Sequence, residues 1–364
     1  MKSPWWWFQC GFNLTCPTLN GLNKELFMIK TAEAVSLGHP DKTADFISSY
    51  ILDKMIEMDP YVKYAVEVMV KDNNIIMGGE IAGKINMSNI NKDVHDAICF
   101  IGYDEKYSSR WGEFAINPDK IKITNLIGAQ SCDISRGVEN NGWGDQGVFV
   151  GYACVGEQNI NRELYLAKKL NFALYNHAKS SDTLGLDIKT QITLDNNNHI
   201  ETAIVAIPML KDENIEGFIC DVLGEKPKNI IVNGTGRYTY HSSIADCGIT
   251  GRKLACDFYS TACPIGGGSP WTKDATKADL TLNLYARKIA VARLCDNDEC
   301  FVYLSSCIGK NKLPSAVIKT IKDGITKYES LIIEKTPSEI ISELGLRTPL
   351  FSDLCIKSVS GAIY

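Results

Sequence analysis

Apolar residues at Ile47, Ile51 and Met55 recur four apart, the spacing of one helix face, and predict a helix over 43–58 that Asp59-Pro60 ends. Straight after it the period drops to two. Val62, Tyr64, Val66, Val68 and Val70 alternate with Lys63, Ala65, Glu67 and Met69, as a half-buried strand requires. Asp72-Asn73-Asn74 marks a turn, and residues 75–85 read as the returning strand, weakened in the middle by Gly78-Gly79. The stretch from Thr31 to Lys42 reads as a loop entering the helix. The theme then recurs twice. Residues 148–155 are apolar, 162–177 suit a helix, and 190–194 face 199–208 across an Asp-Asn-Asn-Asn turn. A helix over 280–293, a strand over 300–306 and a helix over 315–329 follow. Helix and paired strands, three times over, predict an α+β fold of repeated units rather than a doubly wound sheet. The units divide as 28–126, 142–241 and 242–364, with a loop over 127–141 and an added tail over 1–27 outside the fold. The repeat is one of elements, with none visible at residue level.

Composition narrows the class of function. Of 364 residues, 45% are hydrophobic and 22% charged, an ordinary globular balance. The formal net charge of -5 argues against a general nucleic-acid-binding surface. Thirteen cysteines form no CxxC pair, and the five histidines stand at no zinc-ligand spacing. Reduced thiols in a cytoplasmic protein are the expectation. The opening Trp5-Trp6-Trp7-Phe8 lacks a sustained apolar run, since Gln9, Asn13, Pro17 and Asn20 interrupt it. No stretch approaches the ~20 apolar residues that span a bilayer.

Four segments concentrate chemistry. Gly38-His39-Pro40-Asp41-Lys42 sets a proton donor, a hard-metal ligand and a phosphate-binding cation at a helix entrance, where anions are favoured. Alone, it reads equally well as a helix cap with a solvated lysine. Gly142-Trp143-Gly144-Asp145-Gln146-Gly147 lets a backbone approach a ligand closely, or simply turns. Asp246-Cys-Gly-Ile-Thr-Gly251-Arg252-Lys253 pairs a guanidinium with an ammonium, which suits a polyphosphate, or is surface charge. Gly266-Gly267-Gly268 leads to Lys273 and Lys277, one helical turn apart, and to Asp279, a carboxylate fit for magnesium. A glycine linker before a polar helix is the plain alternative.

Taken in order, these blocks resemble the signature segments of the S-adenosylmethionine synthetases (methionine adenosyltransferases) over most of residues 28–364. Gln130-Ser131 and the stretch from Val66-Glu67 to Gly79-Glu80 match further segments between them. The resemblance implies that methionine sulfur displaces triphosphate from the ribose 5′ carbon of ATP, and that the triphosphate is then hydrolysed to pyrophosphate and phosphate. A neutral sulfur needs no base, so catalysis rests on alignment and on stabilising an anionic leaving group. By this resemblance His39 stabilises the bridging oxygen, with a neighbouring triphosphate favouring its imidazolium. Lys42, Lys189, Arg252, Lys253, Lys273 and Lys277 surround the phosphates. Asp41 and Asp279 hold two magnesium ions, and Glu67, taken as a buried carboxylate, holds potassium. Glu80, Gln130, Asp145, Asp246 and Ile308 match methionine-side positions; Tyr238 stacks on adenine and Asp187 contacts the nucleotide. The implied architecture is three similar βαβ-type domains around a pseudo-threefold axis, in a homodimer with packed sheets and shared active sites. Pairing of dimers into a homotetramer stays open.

The chain departs from the family pattern at four places. The segment between Gln130 and Asp145 is short where relatives carry a gating loop, so entry and release are expected to differ. Ile265 and Ala129 replace a histidine and a lysine. His241-Ser242-Ser243-Ile244-Ala245 replaces a glycine-rich turn, and the chain stops at Tyr364 where relatives continue. Two other activities compete with synthesis: a non-catalytic nucleotide-binding regulatory relative, and a triphosphatase that builds no sulfonium. Retention of the charged set argues against the first, and the methionine-side residues against the second.

Overall fold

The alternation over 62–70 settles β2 (Lys63–Lys71): Tyr64, Val66, Val68 and Val70 are buried, and the odd-numbered residues face outward. β3 (Asn74–Ala82) returns beside it, antiparallel, with Glu80 opposite Ala65 and Gly78 opposite Glu67. This is a computed structural model, and it describes residues 30–129 and 142–362. Gln130, most of the 127–141 loop and the 1–27 tail lie outside the described residues.

Three sheets of four strands occur among the described residues. The first runs β9 (Gly248–Ile249), β2, β3, β4 (Lys122–Ala129). The second runs β1 (Thr31–Val35), β6 (Lys189–Leu194), β7 (Ile200–Ala206), β8 (Asn229–Val232). The third runs β5 (Gly147–Cys154), β10 (Glu299–Ser306), β11 (Ser315–Lys322), β12 (Ile325–Ser330). Each is three consecutive strands joined by one from a distant segment. The exchange is cyclic: β1 joins the central triplet, β5 the C-terminal triplet and β9 the N-terminal one. No unit closes its sheet alone, so the α+β units are interlocked. Helices Pro40–Met58, Arg162–Ser180 and Ala278–Leu294 each pack on one sheet and fill the core between the layers.

Two of the sequence expectations need correction. Residues 315–329 form the β11–β12 hairpin, not a helix. Asp323 and Gly324 turn it with φ of 50° and 75°, the positive pair of a tight two-residue hairpin turn. The segment is rich in β-branched residues, and Ala316 and Ile318 alternate inward. That turn also explains why β12 is antiparallel, whereas helical crossovers make β4 and β8 parallel to their neighbours. Thr31–Val35 is a strand rather than a loop, with Ala32 and Ala34 buried and Val35 paired to Lys189. The following helix begins at Pro40, three residues earlier than its apolar period indicates, because a proline in the first turn loses no hydrogen bond.

The first helix also holds the last one. Asp53 accepts from the backbone N–H groups of Phe351 and Ser352, both at 2.8 Å, and from the Ser352 hydroxyl. It thereby caps helix Phe351–Gly361, whose own N-cap residue provides no side-chain bond. Replacing Asp53 by Ala should lower unfolding stability by about 1–3 kcal/mol in urea titrations. An unchanged midpoint would show that the cap is immaterial.

Candidate active site

Helix Pro40–Met58 starts beneath a cleft of about 220 Å³ whose walls include His39, Asp187, Lys189, Tyr238, Tyr240, His241 and Asp246. Five of these are residues singled out from the sequence, brought together from segments over 200 positions apart. His39 is the N-cap residue, and its Nδ1 accepts from the Asp41 backbone N–H at 3.1 Å. An acceptor Nδ1 carries no proton, so the neutral ring keeps its hydrogen on Nε2. Burial, then Lys253 and Lys189, push its pKa down to about 3. The free chain therefore presents a neutral imidazole, and an anion in the cleft has that depression to overcome before any imidazolium forms. Asp187 receives the Ser242 backbone N–H at 2.9 Å, yet burial lifts its pKa to about 7. Asp246 is exposed at the cleft mouth, its Oδ1 on the Cys247 N–H.

Next to the cleft, Asp41 ties the helix start to the Gly-Ile-Thr-Gly-Arg-Lys turn. It accepts the Ile249 N–H at 2.9 Å and the Lys253 amine at 2.5 Å, with Arg252 Nε 3.6 Å away. Burial alone would raise this carboxyl; Lys253 and the Ile249 amide outweigh it and hold the pKa below the usual range. A second pair lies beyond the triple glycine, where Lys273 meets Asp279. Gly268 lies over that carboxylate: a methyl there would come 2.0 Å from Asp279 Oδ1. By contrast, the amines of Lys189 and Lys277 make no hydrogen bond or ion pair among the described residues.

Glu67 links the two charged segments. Its oxygens accept the hydroxyl of Thr250, beside Gly251-Arg252, and that of Thr272, beside Lys273, the latter at 3.0 Å. The expectation of a buried carboxylate is wrong. Glu67 is exposed in the single chain, because it lies on the face of β2 opposite the valines. Glu80 shares that open face through its register with Ala65. Asp145 and Ile308 come together separately. Ser306 donates its hydroxyl to the Asp145 carbonyl at 2.7 Å, and buried Trp143 bridges to Ile308.

Lys42 is not among the phosphate-facing cations. Its side chain is buried, with the amine 2.9 Å from Asp257, 3.2 Å from Asp45 and 5.1 Å from the Trp271 ring centre. Burial opposes its charge, but Asp257 prevails and raises its pKa well above the lysine norm. Successive helical residues point about 100° apart, so Asp41 meets Lys253 beside the cleft while Lys42 turns inward. The reading from sequence also passed over Tyr107, Tyr240, Thr250 and Thr272; only the departure at His241 signalled this wall of the cleft.

The comparisons with known proteins agree with one another. Residues 27–132 match the family model described as S-adenosylmethionine synthetase, N-terminal domain, and residues 241–362 the one described as its C-terminal domain. The S-adenosylmethionine synthase of Mesoplasma florum is 32% identical, covering 88% of this chain and 92% of its own. That of Helicobacter pylori is 31% identical, covering 90% and 91%. Among solved structures, an S-adenosylmethionine synthetase from Campylobacter jejuni, described as unusual, superposes with a TM-score of 0.79 at 29% identity, covering 92% of this chain and 95% of that one.

The depressed histidine sets a pH dependence. Above 6.5 both folded and unfolded chains hold His39 neutral, and its burial costs no proton. As pH falls from 6.5 toward 3 the unfolded chain binds a proton that the folded chain refuses, so stability is lost. His39→Asn keeps a good helix cap and should flatten this loss, by at most about 1.4 kcal/mol per pH unit. Denaturant titrations between pH 7 and 4 that show identical slopes would place the imidazole in water. The matched segments, the coverage and the shared fold agree: the chain belongs to the S-adenosylmethionine synthetase family.

Proposed function

We propose that the chain makes S-adenosylmethionine from ATP and L-methionine, and hydrolyses the displaced triphosphate to pyrophosphate and phosphate. The observation that carries this reading is the pairing of Lys253 with Asp41 and of Lys273 with Asp279. Without ligand, each of these cations rests on a carboxylate. A polyphosphate draws the amines toward itself and leaves the carboxylates free for cations.

The sulfur attacks C5′ as the C5′–O bond breaks, and the triphosphate departs with the bonding electrons. His39 Nε2–H donates a hydrogen bond to the departing oxygen, and its neutral form suffices because no proton need move. Lys189, Arg252, Lys253, Lys273 and Lys277 stabilise the phosphate charge. Asp187 and Tyr238 bind the nucleoside end, and Glu80, Asp145, Asp246 and Ile308 the methionine side; Gln130 belongs to the same reading. Lys42 acts from inside the fold, as the buried counter-ion of Asp257 and Asp45.

Members of this family work with metal ions, and the residues here fit the magnesium and potassium reading. Asp41 and Asp279 offer hard oxygen donors, and glycine at 268 keeps a side chain off the Asp279 carboxylate. Glu67 with the hydroxyls of Thr250 and Thr272 makes an oxygen-rich position suited to potassium. Two bound magnesium ions would supply charge neutralisation of the phosphates. Among the described residues no group of three or more His, Cys, Asp or Glu side chains forms a metal cage.

Glu67 and Glu80 lie on the open sheet face, away from the cleft that holds His39. Exposed Leu126 on β4 and Val148 on β5 are further strand side chains left uncovered. This division supports a homodimer in which a second copy covers the face and completes each site, with the tetramer left open. The ten cysteines among the described residues are free, and no helix there is long and apolar enough to cross a membrane. The free thiols support a cytoplasmic protein.

The product assay is direct. ATP, methionine, magnesium and potassium should yield S-adenosylmethionine with pyrophosphate and phosphate; folded protein that yields none contradicts the reading. Lys189→Met should lower turnover by about 10²–10³-fold with an unchanged unfolding midpoint, since this lysine is exposed and unpaired. Undiminished turnover would remove Lys189 from the phosphate site.

A further inference from the structure

The segment His241–Ala245, where glycines are expected, builds the inner wall of the cleft. The His241 ring is buried against Trp111, 4.7 Å between centres, and edge-on to Tyr107 at 6.0 Å. Its Nδ1 lies 2.7 Å from the Thr239 carbonyl oxygen and its Nε2 2.6 Å from the Tyr107 hydroxyl. A carbonyl can only accept, so Nδ1 carries the hydrogen. Nε2 of the neutral ring is then the acceptor, and the Tyr107 O–H donates to it. The Tyr107 oxygen in turn accepts the Leu186 N–H at 3.2 Å. One relay thus runs in a single direction, from Leu186 through Tyr107 and His241 to Thr239.

Both ends of this relay adjoin the nucleotide-contacting pair. Leu186 precedes Asp187, and Thr239 follows Tyr238. The next residue closes the circuit. Ser242 adopts φ of 54°, which aims its N–H at Asp187 Oδ2, while its hydroxyl accepts from the Ile116 N–H at 2.9 Å. The His241 N–H is itself held by the Phe114 carbonyl at 2.9 Å. The strap over 238–242 is therefore pinned to the Leu186-Asp187 segment on one side and to Phe114–Ile116 on the other.

We propose that Tyr107 and His241 are positioning residues that hold Asp187 and Tyr238 at a fixed spacing, pre-organising the nucleoside end of the cleft. The inference rests on the reading of Asp187 and Tyr238 as nucleotide contacts. Among the described residues neither Tyr107 nor His241 makes a hydrogen bond or ion pair with the phosphate-facing cations, so the loss of the relay acts on nucleoside recognition more than on anion binding.

Calorimetric titration of the full chain with ATP and, separately, with inorganic pyrophosphate separates these effects. Tyr107→Phe removes one hydroxyl and keeps the ring, and it should weaken ATP roughly tenfold while pyrophosphate stays within twofold. His241→Ala should do the same. His241→Gln, whose amide oxygen can accept from Tyr107, should stay within about threefold of the parent. A simple packing defect would shift both ligands together and show no rescue by glutamine. Unchanged ATP affinity in folded Tyr107→Phe, or equal weakening of both ligands, overturns the proposal; if His241→Ala does not fold, Tyr107→Phe decides it. Product formation by the parent is measured in parallel. No product with selective loss of ATP binding sinks the synthetase reading and keeps the relay, and the converse result does the reverse.

Discussion

The Asp41 carboxylate is buried at the first turn of its helix, with a lysine amine on one oxygen and a backbone N–H on the other. A buried carboxylate without such partners would protonate or unfold its surroundings. With them, it stays ionised and binds the helix start to the turn that carries Arg252 and Lys253. Its neighbour His39 answers to the same field. Burial does most to keep His39 neutral, and the lysine that holds Asp41 ionised, Lys253, adds to it. Lys273 and Asp279 repeat the arrangement beside Thr272, so two of the cations rest on the chain's own acids when no ligand is bound.

The fold brings these pairs together through its interlocked sheets. β9 lies beside β2, and the backbone next to Lys273 runs along the other end of β2, with the Thr272 carbonyl accepting the Val66 N–H. Glu67 stands between them on the same strand and receives a threonine hydroxyl from each. A strand borrowed from the C-terminal segment is thus the means by which the turn bearing Arg252 and Lys253 is fixed against the N-terminal sheet. Loosening the exchange would separate the two charged segments as well as open a sheet.

Much of this was legible in the sequence, and the losses have physical causes. Period-two and period-four patterns marked the α+β elements because β2 and the first helix each bury one face. The Ser315–Ser330 hairpin was missed because its outer strand is exposed throughout and shows no alternation; the Asp323-Gly324 turn was the usable signal. The strand exchange left no trace, since β9 is only two residues long and its partner is nearly 180 positions away. At the site, residue type pointed to Asp41, Lys253, Lys273 and Asp279, but not to which charge meets which. Lys42 shows the limit most clearly. Its neighbour Asp41 meets Lys253 beside the cleft, and one step of helical rotation sends the lysine into the core.

Carboxylates hold the anion-binding lysines Lys253 and Lys273 until ligands arrive. Titrating the parent and Asp279→Asn with inorganic pyrophosphate, first with a chelator and then with magnesium, tests this most directly. Removing the Asp279 charge frees Lys273, so metal-free binding should be tighter in the variant than in the parent. With magnesium the order should reverse, because the variant has lost a carboxylate that fits the cation. Weaker pyrophosphate binding by the variant in the absence of metal would contradict the account, since Lys273 would then owe nothing to its partner.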